Sequence, residues 1–89
     1  MPSIIYTQGF FENMDAVDLP SKIDDIYTAI DMLPVLPTLG SRNLPPSLIE
    51  EFGTTVRKLA VPPFLVIYEI LEEEDIILVQ GLIHQRAAW

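Results

Sequence analysis

The chain contains no cysteine, so neither a disulfide nor a thiolate-held zinc supplements its core. Basic residues are nearly as scarce. Lys22, Arg42, Arg57, Lys58 and Arg86 stand against 13 acidic residues, leaving a formal net charge of −8. That imbalance opposes long-range attraction to nucleic acid and makes direct binding to phosphates depend on a local basic patch. A basic protein partner suits the field better. No hydrophobic run approaches the roughly 20 residues of a membrane span. Met1-Pro2-Ser3 shows no basic stretch of the kind that opens a secretory signal, and the cytoplasm is the expected compartment. The sequence holds no glycine-rich phosphate loop, no metal-binding histidine pair and no nucleophile elbow, and it gives no reason to expect a cofactor.

What is present in quantity is apolar. Hydrophobic residues make up 49% of the 89, and the mean hydropathy is +0.33. Residues 1–89 read as one domain, and a chain of this length buries only about 60–65% of its unfolded surface. The apolar surplus therefore implies a dense core, or a surface that another chain covers, a second copy included.

Residues 55–61, 64–71 and 75–83 are rich in Val, Ile, Leu and aromatics, which is strand composition. Pro62-Pro63 separates the first two runs, and Glu72-Glu73-Glu74-Asp75 separates the last two. Proline cannot donate to a ladder, and four adjacent carboxylates repel one another into solvent, so both breaks read as turns of an antiparallel meander. Val66 and Leu78 are expected buried positions within it.

The first half reads differently. Residues 3–7 look like a short strand able to lie beside the meander. Phe10, Met14 and Val17 recur at helical spacing over residues 9–17. Ser21-x-x-Asp24 offers a capping-box-like start to a second helix after Pro20, with Asp24 and Asp25 near its N-terminal dipole. Ile23, Ile26, Tyr27, Ile30 and Leu33 give that helix one apolar face. Residues 34–46 carry four prolines and form a connecting loop, and residues 47–52 add a helical turn closed by Gly53. The fold class is α+β, in the order β-α-α-β-β-β. Tyr6, Tyr27 and Tyr68 read as core residues with polar tips.

His84, the only histidine, is followed by Gln85 and Arg86 just after the last strand. An imidazole there can serve as acid or base, and a guanidinium can hold a phosphate or carboxylate. The plainer reading is a set of polar residues at a solvated strand end. Consecutive acids at a turn point in different directions and lack a calcium-loop spacing, so residues 72–75 are not read as a metal site.

The pattern Arg57-x-Leu59-x-Val61-x-Pro63-Phe64-x-Val66-Ile67-Tyr68-Glu69-Ile70, the acidic turn, then Ile76-Ile77-Leu78 and Ile83-His84-Gln85-Arg86, resembles the RelE/ParE toxin superfamily. The resemblance covers the last forty or so residues in detail and the first half by its order of elements. It implies a helical hairpin on one face of a largely antiparallel four-stranded sheet, the other face partly open, and a cognate antitoxin as partner. The first helix here is shorter than is usual for the family.

Within the family the RelE-like branch cleaves mRNA on the ribosome, using Lys and Arg residues on the sheet. Arg57 and Arg86 match basic positions, and with His84 they are the catalytic candidates of that reading. Leu65 and Glu69, however, stand where basic residues are common, which points away from ribonuclease activity. The ParE-like branch poisons DNA gyrase by binding it and needs a contact surface alone. The resemblance is closer to this branch around residues 83–86. The surface it implies is Arg57, His84, Gln85, Arg86 and Trp89, since Arg and Trp are frequent binding anchors. Catalytically silent binding modules of the same fold are the third alternative.

Overall fold

The computed structural model describes residues 1–88. Strand β1 (Ser3–Tyr6) leads into helix α1 (Gln8–Met14) and helix α2 (Pro20–Asp31). A 3-10 turn at Pro37–Leu39 and helix α3 (Pro46–Phe52) follow. The meander β2 (Val56–Val61), β3 (Phe64–Leu71) and β4 (Ile76–His84) then ends in a single helical turn, α4 (Gln85–Ala88). The sheet order is β1-β4-β3-β2. The three meander strands are antiparallel, and β1 joins β4 in parallel.

Strand β3 is the centre of the molecule. Leu65, Val66, Ile67 and Tyr68 are all buried, and alternation sends successive side chains to opposite faces. On one face Val66 and Tyr68 join Leu59, Val61, Ile77, Val79 and Leu82 beneath the apolar sides of α1 and α2. On the other, Leu65 and Ile67 pack with Val56, Leu48 of α3 and Ala88 of α4. Two short helices thus cover the part of that second face formed by β2 and the first half of β3. The rest, with Ile5, Ile76 and Leu78, stays partly open, and Ile5 is 46% exposed. The expected hairpin on one face of an α+β sheet is present.

The helices begin and end slightly away from the expected positions. Helix α1 starts at Gln8 because Thr7 caps it: the Thr7 hydroxyl accepts from the Phe10 N–H at 3.2 Å and donates to the Gln80 carbonyl at 3.0 Å. Helix α2 starts at Pro20, not at Ser21. Proline suits a first-turn position whose N–H would be unpaired, the N-cap residue is Leu19, and no side chain caps this end. The expected capping box is therefore absent, and Asp24 and Asp25 lie beyond the first turn. The apolar face does behave as its spacing implies, with Ile26 and Ile30 fully buried and Ile23 and Tyr27 packed against them.

The proline-rich loop is tied down at several points. The Tyr68 hydroxyl donates to the Pro37 carbonyl at 2.6 Å and accepts from the Gly40 N–H at 2.8 Å. Arg57 Nη1 donates to the Gly40 carbonyl at 2.9 Å. Ser41 and Lys58 exchange backbone hydrogen bonds in both directions. Gly40 is required by the close approach: a Cβ there would meet the Tyr68 ring and hydroxyl at 2.7 Å. Burial raises the Tyr68 pKa, opposed in part by the Gly40 hydrogen bond and the Arg57 charge. Tyr6, within an aromatic cluster of Phe10, Phe11 and Tyr27, is pushed up to about 12 by burial, the Asp31 carboxylate and Tyr27.

Between Ile67 and Tyr68 the β3–β4 register shifts: Ile67 faces Gly81 while Tyr68 faces Val79, leaving Gln80 as the extra residue of a bulge. Just there β1 ends and α1 takes over its edge role. The Thr7 N–H donates to the Val79 carbonyl at 3.0 Å, and the Leu82 N–H donates to Asn13 Oδ1 at 3.1 Å.

Two substitutions test this arrangement. Tyr68→Phe removes both loop bonds and leaves buried backbone groups unpaired, so it should lower unfolding free energy by about 1–3 kcal/mol in urea titration. Val66→Ala should cost about 1–3 kcal/mol, whereas Leu78→Ala, on the open half-face, should cost at most about 1 kcal/mol. Equal losses for these two would mean that the second face is closed.

Candidate functional site

The Pro62-Pro63 turn and the end of β4 come together at one end of the sheet, because antiparallel pairing sets Phe64 opposite His84. The two rings meet edge to face, with centroids 5.7 Å apart. His84 is the last residue of β4, and the chain turns at once into α4. Two backbone bonds fix that turn. The Gln85 N–H donates to the Pro63 carbonyl at 2.8 Å, and the Arg86 N–H donates to His84 Nδ1 at 3.1 Å. Nδ1 is therefore the acceptor nitrogen, and in the neutral ring the proton sits on Nε2, the atom left for an external group. At its far end α4 is anchored by the buried Ala88, whose carbonyl accepts from the Ser47 hydroxyl at 2.6 Å.

Beside His84 lies a cleft of about 250 Å³ lined by Val17, Leu19, Lys22, Pro63 and Phe64 among others. Lys22 Nζ donates to the Pro62 carbonyl at 2.7 Å and lies 3.6 Å from the Asp25 carboxylate. Leu19 is 63% exposed at its edge. The cleft thus offers an apolar wall with an ammonium, an imidazole and the Asp18 carboxylate in its lining, a combination suited to an apolar side chain flanked by polar groups. Sequence reasoning missed Lys22 because it stands 62 positions before His84. The scarcity of cations was the only signal that could have drawn attention to it.

The five residues expected to act together are divided by the structure. His84, Gln85 and Arg86 are consecutive around the strand end, with His84 and Arg86 exposed and Gln85 half-buried. Arg57 is elsewhere: it pairs with Tyr68 on β2, two strands and four residues from His84, roughly 16 Å away. It is half-buried and spends one nitrogen on the Gly40 carbonyl. Around it a separate polar cleft of about 170 Å³ includes Arg42, Thr55 and Glu72. Trp89 lies outside the described residues.

The two positions that depart from the family pattern have definite surroundings. Leu65 is 4% exposed, inside the apolar cluster beneath α3 and α4. Glu69 accepts from the Thr55 hydroxyl at 2.9 Å and from Gln80 Nε2 at 3.0 Å, linking β2, β3 and β4. Among the described residues no three His, Asp or Glu side chains converge as a metal site, and no helix is long and apolar enough to cross a membrane.

Solved structures share this fold. A chain of the intact Escherichia coli RelBE toxin–antitoxin complex superposes with a TM-score of 0.68 at 8% identity, covering 92% of this chain and 94% of that one. A metal-bound toxin from Helicobacter pylori superposes with a TM-score of 0.57 at 13% identity over 100% of both chains. No curated protein sequence matches. At such identities the likeness establishes the architecture, and the family rests on the sequence itself. The model of the ParE toxins of type II toxin–antitoxin systems, parDE, matches residues 5–89, and the chain belongs to that family.

Proposed function

We propose that this toxin acts by binding DNA gyrase through the end of the sheet that carries His84, Gln85 and Arg86, and that a cognate antitoxin is its partner. The observation that carries the reading is the burial of Leu65. An RNA-cleaving site needs cations arrayed around the scissile phosphate to stabilise developing charge. Here the position where the RelE-like branch commonly has arginine is a leucine sealed under α3 and α4. Glu69 adds a carboxylate on the same face, Arg57 is held by the proline-rich loop, and the chain carries a net charge of −8. Binding requires none of these cations to converge. It requires an exposed, well-positioned surface, and the His84–Arg86 turn is held by the Gln85 N–H on the Pro63 carbonyl and the Arg86 N–H on the His84 ring.

An antitoxin partner follows from membership of a toxin–antitoxin family, and the matching RelBE structure is itself such a complex. In the proposed mode the toxin makes no covalent change to its target. The cleft beside His84 takes an apolar side chain of the target against Leu19 and Phe64, while Lys22, His84 and Arg86 meet acidic groups around it.

Controlled expression in bacteria tests the target. Growth arrest with altered DNA supercoiling and intact mRNA is expected, whereas rapid mRNA loss would transfer the chain to the ribonuclease reading. His84→Ala combined with Arg86→Ala should relieve the arrest while leaving the urea midpoint within the error of the native protein. Undiminished toxicity in that variant would remove the surface from consideration. Leu65→Arg should not create cleavage activity. It buries an unpaired charge, and a loss of about 3 kcal/mol or more is expected.

A further inference from the structure

We propose that the opposite end of the sheet, at the β3–β4 turn, is a docking surface for a basic, partly apolar segment of a partner protein. A cleft of about 290 Å³ opens there, lined by Pro2, Pro37 and Thr38, by the strand ends at Ile70, Leu71 and Ile76, and by the acidic residues Glu72 and Asp75. Glu73 and Glu74 complete a run of four exposed carboxylates around the turn. On either side of Pro37 the chain exposes Met32, Val35, Leu36 and Leu39, each between 46% and 64% exposed. Backbone bonds from Leu36 to Met32 and from Leu39 to Leu36 hold them in that order. Exposed apolar side chains therefore flank, along the chain, the Pro37–Thr38 side of a cleft that also has acidic residues in its lining.

Charge decides the occupant. A second copy of this chain would set four carboxylates against four more, in a molecule already at −8, and nucleic acid is repelled for the same reason. An arginine or lysine side chain suits the site: its aliphatic stem can lie along the apolar lining while its head group meets the carboxylates. Glu72 also shares a neighbouring cleft with Arg42 and Arg57, and the Met1 ammonium lies 3.9 Å from Asp75 Oδ2. Both groups are two-thirds exposed, so that pair is readily exchanged. The surface is distinct from the one proposed for the target. Strand β3 runs from Phe64, beside His84, to Leu71, beside this cleft, a span of roughly 23 Å. Loss of binding at one end therefore leaves the other end unaffected.

The test uses the whole chain, labelled with nitrogen-15, and a short blocked peptide of lysine and leucine in an amphipathic helical pattern. Amide shifts should concentrate at residues 35–39 and 70–76. Glu72→Gln with Asp75→Asn should weaken binding by about tenfold or more, and Val35→Ser with Leu39→Ser should also weaken it. Asparagine tolerates the positive φ of 57° at Asp75, and all four positions are exposed, so the native spectrum should persist in every variant. Glu50→Gln with Glu51→Gln on α3 removes the same charge and should change affinity by less than about twofold. An equal loss in that control, shifts spread along α1 and α2, equal binding of the glutamate counterpart peptide, or a dimer formed by the free protein through this face would each overturn the proposal.

Discussion

Burial of β3 on both faces is the constraint under which the other elements are placed. Leu65 and Ile67 face one way, Val66 and Tyr68 the other, and a slip of one residue against β2 or β4 would exchange the two sets. Each set has a cover of different shape. The helical hairpin lies over Val66 and Tyr68, and two single-turn-scale helices lie over Leu65 and Ile67. The phenol of Tyr68 then extends the constraint into the loop, because both of its hydrogen bonds go to backbone groups of residues 37 and 40. A stretch that would otherwise be a long irregular connection becomes a fixed wall beside the sheet.

That same architecture also sets where three of the cations lie. Arg57 is drawn toward Gly40, Lys22 toward the Pro62 carbonyl, and Arg86 is carried out beyond the last strand on α4. Each is placed by backbone geometry at a different part of the surface. What the fold keeps near one another are backbone acceptors and apolar side chains with a charge at the margin, the composition of a binding face. The molecule thus has two dissimilar ends. One offers the His84 imidazole and the Lys22 ammonium in a cleft with the Phe64 ring, and the other offers carboxylates around aliphatic strand ends.

Much of this was legible in the sequence. The three strand runs, their two turns, the apolar face of the second helix and the helical turn closed by Gly53 depend on local periodicity and on residues with strong backbone preferences, and they stand where periodicity puts them. Leu33 and Val17 are buried as their spacing implies, although both lie just past the helices they were grouped with. The errors arose where a distant partner overrides a local signal. Thr7 was not recognised as a cap because half of its hydrogen bonding goes to Gln80, 73 residues away. Ser21 looked like a cap until Pro20 proved to be helical. For the candidate site, the continuity of His84, Gln85 and Arg86 was visible, but the distance to Arg57 follows from strand register and the proximity of Lys22 from the crossing of α2. Leu78 alternates like its buried neighbours, and only the limited reach of α3 and α4 leaves it on an open half-face.

The bulge at Gln80 carries a further consequence. Where β1 stops, Thr7 and Asn13 occupy the main-chain groups of Val79, Gln80 and Leu82 that would otherwise be offered to another strand. On the opposite side, Ser41 occupies part of the β2 edge. The sheet is thereby closed against lateral growth over much of its perimeter, and the four residues of β1 are left as a short rim. Chains so rich in Val, Ile and Leu are prone to stack strand on strand into fibres. In this protein a helix and a loop take up part of the hydrogen bonding through which such stacking would propagate.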